Sequence, residues 1–88
     1  MKLYVDDVRT PPPGWVVART VKEAIAVLDA GGVDEVSLDY FIGDGEGGTF
    51  LPVAHHIAAM TRSHRPKKIH FHTASSAGAA RLASVLGQ

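Results

Sequence analysis

Three prolines and a glycine, Pro11-Pro12-Pro13-Gly14, follow the first apolar run of this chain and close both ways of continuing it. Proline has no amide to give to a central ladder or a helix interior. Lys2 to Val5 therefore reads as a short buried strand that stops, and Trp15-Val16-Val17-Ala18 as a second strand with no helix between them. The gap is short for a parallel crossover, yet it lacks the Asn-Gly or Gly-X pair of a tight hairpin. A parallel pair joined by an extended loop is the expectation. A proline-binding module would want a longer tract, so the prolines read as a stiff connector, and Trp15 is expected to cover the sheet edge.

Asp6 and Asp7 sit where that first strand breaks. Neighbours on a strand point to opposite faces, so the two can share a ligand only because the strand is ending. Crowded carboxylates repel unless something neutralises them, and Mg2+ bound through carboxylates, water and phosphate oxygens is the usual solution. An isolated Asp-Asp pair is more often a solvated turn; a third acid in the same register changes that balance.

Thr20-Val21-Lys22-Glu23 is a capping box, in which the Thr20 hydroxyl takes the Glu23 amide and the Glu23 side chain returns to the Thr20 amide. Val21, Ala24, Ile25 and Leu28 then form one apolar stripe, and Gly31-Gly32 stops the helix. Glu35 to Asp39 is a strand that again ends in a carboxylate, Asp39. From about residue 49 to 62 a second helix carries Phe50, Val53, Ala54, Ile57 and Met60, with His55 and His56 toward solvent or the edge of the stripe. Ile69-His70-Phe71-His72-Thr73 is a fourth strand with His70 and His72 on one face, and Ser75 or Ser76 can cap a last helix over 76–86. A buried histidine is usually a satisfied core residue, which suffices for His70. His72 lies where Asp6, Asp7 and Asp39 should converge, with Thr73 and Ser75 just before a helix N-terminus whose amides favour phosphate.

Other candidates fall away. Gly43-Asp44-Gly45-Glu46-Gly47-Gly48 matches a dinucleotide fingerprint, but Asp44 and Glu46 would repel a pyrophosphate and the next strand ends in Thr73 where a ribose-binding acid is wanted. The alternating ligands of an EF-hand are missing too. Arg62, His64, Arg65, Lys67 and Lys68 suit the negative end of the second helix and read as a solvated face, with an RNA backbone as the sharper alternative. Nine basic and nine acidic residues balance, so any phosphate site must be local.

Eighty-eight residues, 45% of them hydrophobic, allow one domain over 1–88. No cysteine occurs to staple it. With no apolar run near the roughly 20 residues that span a bilayer, and a strand starting after Met1, the chain is expected to be cytoplasmic and without a membrane association. The strand–helix alternation after Trp15 predicts a layered α/β domain with a four-stranded, mainly parallel sheet in order 2-1-3-4 and three helices.

With both acidic strand ends and the terminal His-Thr in place, the chain resembles the cyclic-phosphate-processing receiver domain family. The resemblance rests on Leu3 to Pro12, Gly14-Trp15, Ala18-Arg19-Thr20, Leu38-Asp39 and His72-Thr73 through Gly78. It implies a truncated receiver-like, flavodoxin-like three-layer fold in which Asp6 and Asp7 hold Mg2+, Asp39 takes the phosphoacceptor position and Thr73 the hydroxyl after strand four. The first helix of ordinary receivers and the fifth strand with its Lys have no counterpart, Lys67 and Lys68 being at the wrong end of a strand. Family members typically read Leu-Asp-His-Asp-Leu-Gly and His-Ser-x-Asn-Pro-x-Gly at the two later sites. Here Tyr40 and Phe41 replace the His and second Asp, and Ser75 and Ser76 replace the Asn and Pro. Asp44 is a candidate for the missing acid.

The resemblance implies action on cyclic phosphates, such as those at RNA ends during RNA repair. In that case the chain is a Mg2+-dependent phosphoesterase in which Asp6, Asp7 and Asp39 hold the metal, His72 moves the proton, and Thr73 and Ser75 bind phosphate. The alternative is a module without turnover that binds phosphate or a protein partner, or accepts phosphate on Asp39. The open sheet edges favour a partner or a homodimer. A third option is a different metal on His70, His72 and a carboxylate. Cyclic phosphodiesterases with two His-x-Ser/Thr motifs do not fit, because His72-Thr73 lacks the spacer.

Overall fold

A computed structural model describes residues 1–43 and 47–88. Its elements are β1 (Lys2–Val5), β2 (Trp15–Ala18), α1 (Val21–Ala30), β3 (Glu35–Leu38), α2 (Leu51–Ala59), β4 (Lys68–Phe71) and α3 (Ser76–Leu86). All neighbouring strands are parallel, in the order β2-β1-β3-β4. Leu3 pairs with Val16 and Val36, and Val5 with Ala18 and Leu38, so the apolar positions of adjacent strands line up on one face. The parallel β1–β2 pair, the strand order and the helix count are as expected from the sequence.

The layering differs. Leu3, Val5, Val36 and Leu38 share one cluster with Ala24 and Leu28 of α1, Val53 and Ile57 of α2, and Leu82 and Leu86 of α3. Tyr4, buried on the opposite face, is outside that cluster, as are Trp15 and Val17. All three helices thus lie on one face, giving two layers where three were expected. The connections β2–α1–β3 and β3–α2–β4 advance across the sheet in one direction, and right-handed crossovers going one way deposit their helices on one side. The step that reverses direction, β1 to β2, carries the proline loop in place of a helix.

Local chemistry sets the element ends. Thr20 Oγ1 accepts the Glu23 amide at 3.0 Å, but the Glu23 carboxylate accepts from the Arg19 amide at 3.1 Å and not from that of Thr20. Gly31, at φ 86°, turns the chain out of α1. Helix α2 is shorter than its apolar pattern: Met60 is already extended, and the Arg65 guanidinium donates to the carbonyls of Met60 and Ala58. Part of the basic cluster therefore closes a helix C-terminus, where positive charge is favoured. The helix α3 packs closely because Gly78 has no side chain; a Cβ there would lie 2.6 Å from Cγ of Tyr40.

Candidate functional site

Asp6 follows β1 directly, and its amide extends the ladder by donating to the Ala18 carbonyl at 3.1 Å. Its side chain is fully buried. The amides of Val8 and Arg9 both turn back to donate to Asp6 Oδ1 at 2.9 Å, which pulls the chain out of the strand direction ahead of the prolines. Two arginines fix this loop. Arg9 Nη1 donates to the His72 carbonyl at 2.9 Å, and Arg19 Nη1 donates to the carbonyls of Arg9 at 2.6 Å and Asp6 at 3.3 Å.

The other two strand ends bring their groups to the same place. His72 follows β4, its amide donating to the Leu38 carbonyl at 3.0 Å. Its ring is held on three sides: Nε2 lies 2.9 Å from Asp6 Oδ2, Nδ1 lies 2.7 Å from Ser37 Oγ, and the Tyr4 ring stacks on it at 4.2 Å and 7°. Asp39 follows β3, its amide donating to the Val5 carbonyl, and its Oδ1 accepts from the Tyr40 amide at 2.8 Å. Asp6, Asp39 and His72 each present a donor atom within 4.8 Å of the others. Burial by itself would raise the Asp6 pKa, but the Arg9 and Val8 amides and the His72 contact together hold it below the ordinary carboxylate value.

The remaining predicted residues are placed differently. Asp7 lies in the bend after β1, and its Oδ2 accepts the Gly43 amide at 2.7 Å. It tethers the loop after β3, and among the described residues it is not in the group that could share an ion. Thr73 Oγ1 accepts from the Ser75 amide at 3.1 Å, and Ser75 Oγ caps α3 by accepting the Gly78 amide at 3.0 Å. Both hydroxyls thus shape the turn leading from His72 into the helix. Asp44 lies outside the described residues. His70 is paired with Glu35 at 2.7 Å and half exposed. Tyr40 is a core residue whose hydroxyl accepts from Arg81 at 3.3 Å.

Four residues that hold this site went unrecognised in the sequence: Tyr4, Arg9, Arg19 and Ser37. A signal existed for Ser37. It is the polar position between Val36 and Leu38 in a buried strand, and parallel register places it beside Tyr4 and His70 on the histidine face. A cavity of about 450 Å³ lies elsewhere, at the opposite ends of the strands between Leu28, Val33, Met60 and Arg65, and contains none of the site residues.

A sequence profile of the family described as cyclic-phosphate processing receiver domain matches residues 1–88. No curated protein and no solved structure matches the chain significantly.

Proposed function

Because the chain belongs to the cyclic-phosphate processing receiver domain family, we propose that it opens a cyclic phosphate or removes a terminal phosphate, as at an RNA end, in a reaction dependent on a divalent cation. The observation that carries this reading is the convergence of Asp6, Asp39 and His72 within 4.8 Å at the carboxyl ends of three parallel strands, the edge of an open α/β sheet where ligands bind. The donor set fits a divalent cation: Asp6 and Asp39 offer hard oxygens that suit Mg2+, with Asp7 on the adjoining loop and an imidazole beside them. Such an ion supplies charge neutralisation on the phosphoryl oxygens when bound.

The chain's own residues do the rest. Thr73 and Ser75, which follow His72 in the chain, shape the turn into the N-terminus of α3, where helix amides favour a phosphate. His72 has its Nδ1 directed to Ser37 and its Nε2 to Asp6: as water attacks phosphorus and the bond from phosphorus to one ribose oxygen breaks, that oxygen takes a proton from Nε2, whose contact with Asp6 opens for the transfer, and the proton released by the water restores it. Arg9 and Arg19 hold the loop that closes over Asp6. The test is to incubate the purified chain with RNA ending in a 2',3'-cyclic phosphate, with Mg2+ and with a chelator, and follow ring opening by phosphorus NMR. Opening confined to the Mg2+ sample is expected, and equal rates in both would contradict the metal dependence.

A further inference from the structure

The sheet face without helices carries a continuous layer of rings. His72 lies flat against Tyr4, Tyr4 meets Trp15 edge-on at 6.1 Å and 78°, and Trp15 meets His70 at 6.5 Å and 67°. Parallel sheets are almost always covered on both faces, since their strands are apolar on both. Here the rings stand where a helix layer would, and Trp15 remains only partly buried, so its ring still offers surface. The Lys2 ammonium lies 5.8 Å from the centre of that ring, which puts a cation beside it. Through Tyr4 the layer runs without a break from Trp15 into the cluster of Asp6, Asp39 and His72.

We propose that this layer is the subsite for the organic part of the substrate: Trp15 stacks on the nucleobase of a nucleoside 2',3'-cyclic phosphate whose phosphate lies at Asp39 and His72. The proposal rests on the cyclic-phosphate reading and extends it from the reacting group to the rest of the molecule. A cyclic phosphate offers only charge to recognise, whereas a base adds a flat π surface. Stacking on an aromatic side chain accepts any base; Lys2 puts a cation beside Trp15 and Arg9 puts another at the His72 carbonyl, while the Glu35 carboxylate of this layer is engaged by His70. Trp15 and His72 are separated by no more than two successive ring contacts, a span that one nucleotide can bridge.

Trp15 is the chain's one tryptophan, so a single indole N–H resonance reports on it. The experiment titrates the full chain, in Mg2+, with a nucleoside 2',3'-cyclic phosphate and with methyl riboside 2',3'-cyclic phosphate, which lacks the base, each spectrum being recorded before phosphorus NMR detects ring opening. Both ligands should move the amides of Asp39 and His72. Only the nucleotide should move the indole, and it should bind on the order of tenfold more tightly. Trp15→Phe should keep that preference and Trp15→Ala should lose it; should Trp15→Ala fail to fold, the comparison of the two ligands on the wild-type chain still decides. Equal affinities with an unmoved indole would overturn the base subsite and leave the phosphate site standing. No response at Asp39 or His72 to either ligand would overturn both.

Discussion

Nε2 of His72 lies 2.9 Å from Oδ2 of Asp6, across 66 positions of sequence, and each partner is anchored at its other end: Asp6 by two backbone amides and His72 by Ser37. The two groups are fixed relative to one another before any ligand arrives. A proton acceptor at Nε2 or a cation at Oδ2 must therefore compete with this contact, so each of the two groups sets the availability of the other.

Removing the imidazole should cost stability as well as chemistry. In His72→Ala the fully buried Asp6 carboxylate loses one of its three close partners, and a buried acceptor left short of a hydrogen bond costs about 1–3 kcal/mol. Urea denaturation should place the variant's midpoint below that of the wild type. An unchanged midpoint would mean that the pair adds nothing to the fold.

Acid should weaken the fold through the same carboxylate. Asp6 has a folded pKa below its ordinary 3.8, burial being outweighed by the Arg9 and Val8 amides and by His72. A depressed carboxylate contributes stability that is complete above the unfolded pKa and is lost as pH falls through the folded one. Asp34, whose pKa is lowered by its hydrogen bond and charge interaction with the N-terminal ammonium, acts in the same direction. The Asp6 share is therefore the difference between wild type and Asp6→Asn, measured as urea midpoints of the metal-free protein from pH 5 to pH 2. The variant should show the shallower decline, and parallel curves would contradict the assignment.

Gly78 and Tyr40 should behave as one unit. Gly78→Ala drives a methyl group to within 2.6 Å of the Tyr40 ring, an overpacking that typically costs about 1–3 kcal/mol. Tyr40→Ala alone should be destabilising through the cavity it leaves. Combined, the two should cost less than their sum, because the added methyl occupies vacated space. Strict additivity in denaturation measurements would show that the contact does not govern how α3 docks.

Much of this was legible in the sequence because it rests on periodicity. The strand order followed from one loop without a helix and three strand–helix alternations, and the meeting of Asp6, Asp39 and His72 followed from each ending a parallel strand. What was missed depends on where individual hydrogen bonds go. The sequence does not tell that the Asp7 carboxylate accepts the Gly43 amide, or that the Glu23 carboxylate takes the Arg19 amide in place of that of Thr20. Tyr40 stands where the family has a histidine, and only packing against Gly78 reveals it as core. The two-layer arrangement could have been derived, since the crossovers all advance in one direction; receiver-like proportions led to three layers instead.

The placement of the carboxylates predicts an order of effects on metal binding. Asp39→Asn and Asp6→Asn remove oxygens from the trio within 4.8 Å and should each weaken Mg2+ binding about tenfold or more, whereas Asp7→Asn, on the Gly43 amide, should have the smaller effect. Magnesium titrations followed by amide shifts measure all three. A larger loss in Asp7→Asn than in Asp39→Asn would relocate the ion to the loop after β3.

The central claim is that His72 moves the proton in a metal-assisted opening of a cyclic phosphate, and the most direct measurement compares wild type with His72→Ala on RNA ending in a 2',3'-cyclic phosphate, in Mg2+, at a temperature where both are folded. General acid–base catalysis is typically worth about 10²- to 10⁴-fold, so the wild type should open the ring and the variant should be slower by that factor. Equal rates in the two proteins would remove His72 from the mechanism, and no opening by either would contradict the enzymatic account and leave a receiver-like domain that binds its ligand without turnover.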